Sequence, residues 1–151
     1  MSARAEVRQA VSNAISSGVT DVSGRVFSRR RNALRTDELP CVAVQANDAT
    51  VETITNEGPG SRIQQRTITA TVSACVSASS VTADDDADML AAKCQACLAD
   101  FSMLIPGKII EGQLVGEHST DAEIEGGFVV IAVMTYQYVV QTNEANPDQL
   151  L

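Results

Sequence analysis

The chain has no tryptophan, 3% aromatic residues and a single histidine, His118, among 151 residues. A core with so few rings has to be built mostly from Val, Ile, Leu and Ala. Such a core is thin per residue, so burial against sibling subunits would add to it. Long apolar stretches are also missing. The longest run, FVVIAVM at 128–134, is far short of the roughly 20 residues a membrane-spanning helix needs. The opening MSARAEVRQAVSNAI has no apolar stretch of the secretory kind, and the expectation is a chain folded in the cytoplasm. No G-x-S-x-G elbow, phosphate-binding P-loop or G-x-G-x-x-G turn occurs, which removes the commonest signatures of hydrolase and nucleotide chemistry. No internal repeat, low-complexity tract or linker divides the chain.

What is present fits one folded domain. Hydrophobic residues make up 44% and charged residues 20%, the balance of a globular protein rather than a disordered one. The net charge of −8 opposes non-specific attachment to nucleic acid or anionic membrane by the chain as a whole. It leaves room for a local basic face.

Four cysteines occur, Cys41, Cys75, Cys94 and Cys97. The last two form a C-x-x-C that suggests redox chemistry or half of a zinc site. A redox pair is activated at a helix N-terminus, whereas this pair lies deep in the helical spacing Ala87, Leu90, Cys94, Cys97, Leu98, Phe101. With no second C-x-x-C and one histidine, the reading is of reduced core cysteines, and no metal or cofactor is expected. Ser119 and Asp121 follow His118, but catalytic triads converge from separate elements, and these three are read as one polar loop. No catalytic residue is assigned and no enzyme is expected.

Periodicity places the elements. Val7, Ala10, Val11, Ala14 and Ile15 recur at helical spacing, with Ser2 as cap and Gly18 at the end. Short strands are expected at 25–27 and 41–46, and VETIT runs into a turn at Gly58, Pro59 and Gly60. The clearest strand spans 67–78. Ile68, Ala70, Val72, Ala74 and Val76 line one face, and Thr67, Thr69, Thr71, Ser73, Cys75 and Ser77 the other. The first face suits a helix layer, and the second suits water or a neighbouring subunit. A second helix is expected over 82–103, its first turns holding Asp84, Asp85, Asp86 and Asp88 where carboxylates complement the dipole. A strand follows IPG, then an acidic solvated connection with Glu111, Glu117, Asp121, Glu123 and Glu125, then a central strand at 128–140. A loose tail is expected at about 142–151. The sum is an α+β domain spanning 1–151: a largely antiparallel sheet with two helices packed on one face, plus an extended β-hairpin.

One segment stands out. SGRVFSRRRNALRTDELP carries Arg25, Arg29, Arg30, Arg31 and Arg35, five of the chain's 11 Lys and Arg residues. A nucleic-acid contact, a protein docking surface and a plain solvated loop all fit such a cluster. With its flanks, GRVFSRRRNALRTDELPCVAVQA resembles the early region of bacteriophage tail terminator proteins, the lambda minor tail protein U-like family. There a leading helix precedes an R-V-F-like strand, an irregular Arg-bearing segment, L-P and an apolar strand. Here these are Arg25-Val26-Phe27, residues 28–38, Leu39-Pro40 and residues 42–46. The order of elements continues to match across nearly the whole chain, although relatives often carry fewer charges at the position of RRRN.

The resemblance implies a structural protein of a long siphovirus tail. As a homo-hexameric ring it would sit on the last ring of tail-tube protein, end tube growth and offer a surface to the head-side connector. The protein-contact residues expected on this reading are Arg29, Arg30, Arg31 and Arg35. A lumen-facing role touching DNA is disfavoured because tight phosphate binding would impede transit. The alternatives are another head–tail junction component, such as a tail completion or connector protein, and a small ligand-binding α+β domain.

Overall fold

The computed structural model describes residues 1–28, 34–55 and 58–151. Helix α1 (Ala3–Gly18) begins where the Ser2 hydroxyl accepts a 3.1 Å hydrogen bond from the Ala5 amide, satisfying one of the amides a helix start leaves unpaired. Val7, Val11 and Ile15 are fully buried, as the apolar spacing predicts. Helix α2 (Ala83–Cys97) holds Asp84, Asp85 and Asp86 in its first turn and buries Ala87, Leu90, Ala91 and Cys94. It is shorter than expected. The chain turns at Leu98 and makes a separate 3-10 turn, Phe101–Met103, started by the Asp100 carboxylate accepting from the Ser102 amide.

Among the described residues six strands form one sheet: β1 (Val26–Ser28), β2 (Cys41–Thr53), β3 (Ile63–Ser77), β4 (Ile109–Ile124), β5 (Gly127–Asn143) and β6 (Asn146–Leu150). Their order is β1-β2-β3-β5-β4, with β6 paired to the end of β5. Only β1 with β2 runs parallel among the strand pairs. Both helices pack on one face, against Val42, Val44, Ile68, Ala70, Val72, Ala132, Met134, Tyr138 and Val140. The domain is thus α+β, as expected.

Four expectations change. The strands read separately at 41–46 and in VETIT are one strand, β2, with a register shift between Asp48 and Thr50 that breaks the side-chain alternation. The β2–β3 hairpin is long but does not stand free, because β5 pairs with β3 from Ile63 to Ser77. Its turn is also tied to the β5–β6 turn, where the Glu144 carboxylate accepts from the Gly60 and Arg62 amides. The segment at 142–151 is a paired strand rather than a loose tail. Thr142 is buried opposite Leu150, and Leu150 joins the main core at 6% exposure. The acidic connection, His118 included, is the long strand β4. Apart from Ile109, which joins the main core, and the half-buried Gly112, Ala122 and Ile124, its residues are exposed because it lies at the edge of the sheet.

Candidate protein interface

The two edges of the sheet differ in shape and charge. On one side, among the described residues, β4 pairs only with β5, so the backbone groups along its far edge face outward. Glu117, Asp121 and Glu123 occupy its second half, and Glu125 follows its last residue. The first half exposes Ile110, Leu114 and Val115, the first of these by 50%. Gly112 is the tight spot of this strand. A Cβ there would come within 2.6 Å of the Tyr138 ring and 2.8 Å of the Phe101 Cβ, so the strand is pressed between core and 3-10 turn.

On the other side β1 covers only Val42 to Val44 of β2. Among the described residues no strand flanks β2 beyond that point, and Val51 there is 48% exposed. Basic residues collect at this edge. Arg25 donates from Nε to the Pro40 carbonyl at 3.0 Å, and Arg8 of α1 donates from Nε to the Ser28 hydroxyl at 3.2 Å. Arg4 lies one helical turn from Arg8, on the same side of α1. Reading the basic segment alone misses this pair. The four-residue spacing of Arg4 and Arg8 was the available signal, but it becomes informative only once Arg8 is seen to touch β1.

Of the expected contact residues, Arg29, Arg30 and Arg31 lie outside the described residues. Arg35 is described, and it sits on a strap that crosses the sheet face opposite the helices. Its guanidinium pairs with Asp37 at 3.3 Å and with Glu38 at 3.9 Å, and its amide bonds the Glu38 carboxylate. Residue for residue it bridges to Glu125 at the far end of β4, where the Thr36 amide donates to the Glu125 carbonyl. The strap places Leu34 and Leu39 over Cys41, Cys75 and Val129, a second small core. The polar face of β3 is therefore covered at its Cys75 end, whereas Thr67, Thr69, Thr71 and Ser73 remain half-buried without a layer above them.

All four cysteines are reduced thiols, Cys97 being half-buried and the rest buried. Cys41 and Cys75 face each other across β2 and β3. A hydrogen bond to Cys41, aided by burial, pushes the Cys75 thiol up. Burial, with the neighbouring Cys97, pushes Cys94 up to about 12. These are the surroundings of inert thiols rather than reactive ones. His118 and Ser119 are adjacent on β4 and so point to opposite faces; the strand keeps them apart. Among the described residues no three His, Cys, Asp or Glu side chains are grouped to hold a metal ion, and no helix is long and apolar enough to cross a membrane.

No family model matches the chain, and no curated protein does. Solved structures give 27 matching chains. One belongs to the virion of a native gene transfer agent particle, with 12% identity and a TM-score of 0.35 over 89% of this chain and 94% of that one. A TM-score of that size does not establish a shared fold.

Proposed function

We propose that this protein is a structural component of a virion, a tail terminator that caps a phage tail tube as a homo-hexameric ring. The observation that carries the reading is the pair of unlike sheet edges. A chain with an acidic edge on one side and a basic edge on the other is suited to head-to-tail contacts, which repeat from copy to copy until they close. The sequence resemblance supplies the biological setting, with tail-tube protein on one side of the ring and the head connector on the other. In that role no substrate is turned over and no cofactor takes part. Tube growth ends because the outer surface of the cap does not match the next tube subunit. The function is stoichiometric, and its energy comes from complementary surfaces.

Light scattering with negative-stain imaging tests this, on the chain alone and mixed with the tail-tube protein of the same virus. Closed rings of six copies are expected under at least one of the two conditions. A protein that stays a compact monomer in both, across salt and concentration, would overturn the reading.

A further inference from the structure

We infer that the ring closes edge to edge, β4 of one copy lying antiparallel to the β1–β2 edge of the next. The inference rests on the ring reading above and adds which surfaces meet and in what register. Strand direction is the first support. β2 and β5 run one way and β3 and β4 the other, so placing β4 beside β2 of another copy continues the antiparallel alternation.

Register is the second support. A ring that closes without climbing sets residues at equal height opposite one another. Reading across the ladder, Thr120 is level with Ile131, Cys75 and Cys41, and Glu111 is level with Val139, Thr67 and Thr50. Arg25, whose carbonyl accepts from the Val42 amide, therefore comes level with the second half of β4. That half carries Glu117, which accepts from the Gln95 side-chain amide of α2, with Asp121 and Glu123, and Glu125 follows its last residue, so Arg25, Arg8 and Arg4 of one copy meet carboxylates of the next. The first half of β4, with Ile110, Leu114 and Val115 exposed, meets the uncovered stretch of β2 around Val51.

Charge also matches at the lower end. Lys108 immediately precedes Ile109, which pairs with Val140, so it stands level with Gln141, Gln65 and Glu52. Lys108 and Glu52 are both exposed, at opposite edges of one copy and at the same height. Two β4 edges set against each other would instead oppose carboxylate with carboxylate over the same strand. A second copy in head-to-tail order is the occupant these charges select.

The pair Lys108 and Glu52 makes the test specific. Within one copy these positions lie three strand spacings apart, about 14 Å, beyond the roughly 7 Å limit between Cα atoms for a disulfide. A chain carrying Lys108→Cys and Glu52→Cys together, oxidised under ring-forming conditions, is expected to give a ladder of cross-linked species reaching the full ring. Each single cysteine variant is expected to stop at dimers. Lys108→Glu alone should raise the concentration for half-assembly about fivefold, and adding Glu52→Lys should restore it. Rings from the wild type together with no ladder from the double-cysteine chain, or a double reversal no better than the single one, would overturn the edge pairing while leaving the ring reading intact. Wild-type protein that forms no ring, alone or with tail-tube protein, would overturn both.

Discussion

Gly18 at the end of α1 lies so close to Cys97 at the end of α2 that a Cβ on Gly18 would come 2.3 Å from the Cys97 sulfur. Glycine suits this helix end because a second helix passes against it, rather than for a left-handed turn. Gly18→Ala is expected to cost about 1–3 kcal/mol, the range for overfilling a packed contact. If the sulfur is the obstacle, adding Cys97→Ala should recover most of that loss. Urea midpoints of the two single variants and the double variant would reveal the coupling, and plain additivity would refute it.

Gly112 makes a similar demand from the sheet side. Its missing side chain lets β4 lie on the Tyr138 ring beneath Phe101. Unlike a lone sulfur, a buried ring and a neighbouring Cβ have little room to move. Gly112→Ala should therefore lower stability by about 2–3 kcal/mol, read as a drop in denaturation midpoint. Gly116, where an added Cβ meets open space, is the matched control and should tolerate alanine with little change.

How much of this was legible beforehand follows from where each signal resides. Val7, Val11 and Ile15, with Ser2 before them, reveal α1 because helix periodicity and capping are local. Ile68, Ala70, Val72 and Ala74 reveal β3 for the same reason, since one face is covered throughout. β2 was read in pieces because the irregularity at Asp48–Thr50 interrupts the alternation that defines a strand. The first half of β4 reads as a strand, and its second half reads as a solvated connection because an edge strand there has no face that must be apolar. Leu150 was read as part of a loose tail because NEANPDQ is polar, and its burial depends on where β5 ends. At the candidate interface, the basic segment was visible as composition. The Arg4–Arg8 row and the acidic β4 edge acquire meaning only from the order of strands.

Raised thiol and phenol values give a pH dependence with a definite sign. In the unfolded chain Cys94 ionises near its ordinary 9.0, whereas burial in the fold holds its proton to about 12. Tyr136 moves from 10.0 to about 12 for the same reason, with Cys94 and Glu117 adding to it. A group whose folded value is raised binds its proton more tightly in the native state. Stability is therefore full below pH 9 and falls as pH climbs from there toward 12, by about 1.4 kcal/mol per unit for Cys94 between its two values and by less for the more exposed Tyr136. Denaturant midpoints measured from pH 7.5 to 10.5 should decline above 9. Cys94→Ala should make the decline shallower, and an unchanged slope would show that Cys94 is not the group responsible.

The C-terminal strand offers a direct test of the corrected tail. Leu150 joins the main core, and the Leu151 amide donates to the Gln141 carbonyl at 3.0 Å. Removing residues 145–151 should cost about 2–3 kcal/mol, mostly from the lost leucine burial. Leu150→Ala alone should account for most of that. A truncated chain as stable as the full one would mean that β6 contributes nothing.

Arg35 separates stability from assembly. Its ion pairs with Asp37 and Glu38 are on the surface, its own side chain being 57% exposed, and such pairs contribute less than about 1 kcal/mol. The strap it belongs to is held by other means, namely the Thr36–Glu125 backbone bond and the packing of Leu34 and Leu39. Arg35→Ala should therefore leave the denaturation midpoint nearly unchanged, whereas Leu39→Ala should lower it. If the arginines of this segment face a protein partner, Arg35→Ala and the pair Arg30→Glu with Arg31→Glu should weaken ring formation in sedimentation while melting like the wild type. Rings assembling at the wild-type concentration in both variants would show the segment to be an ordinary solvated connection. The contacts between copies would then rest on the strand edges alone.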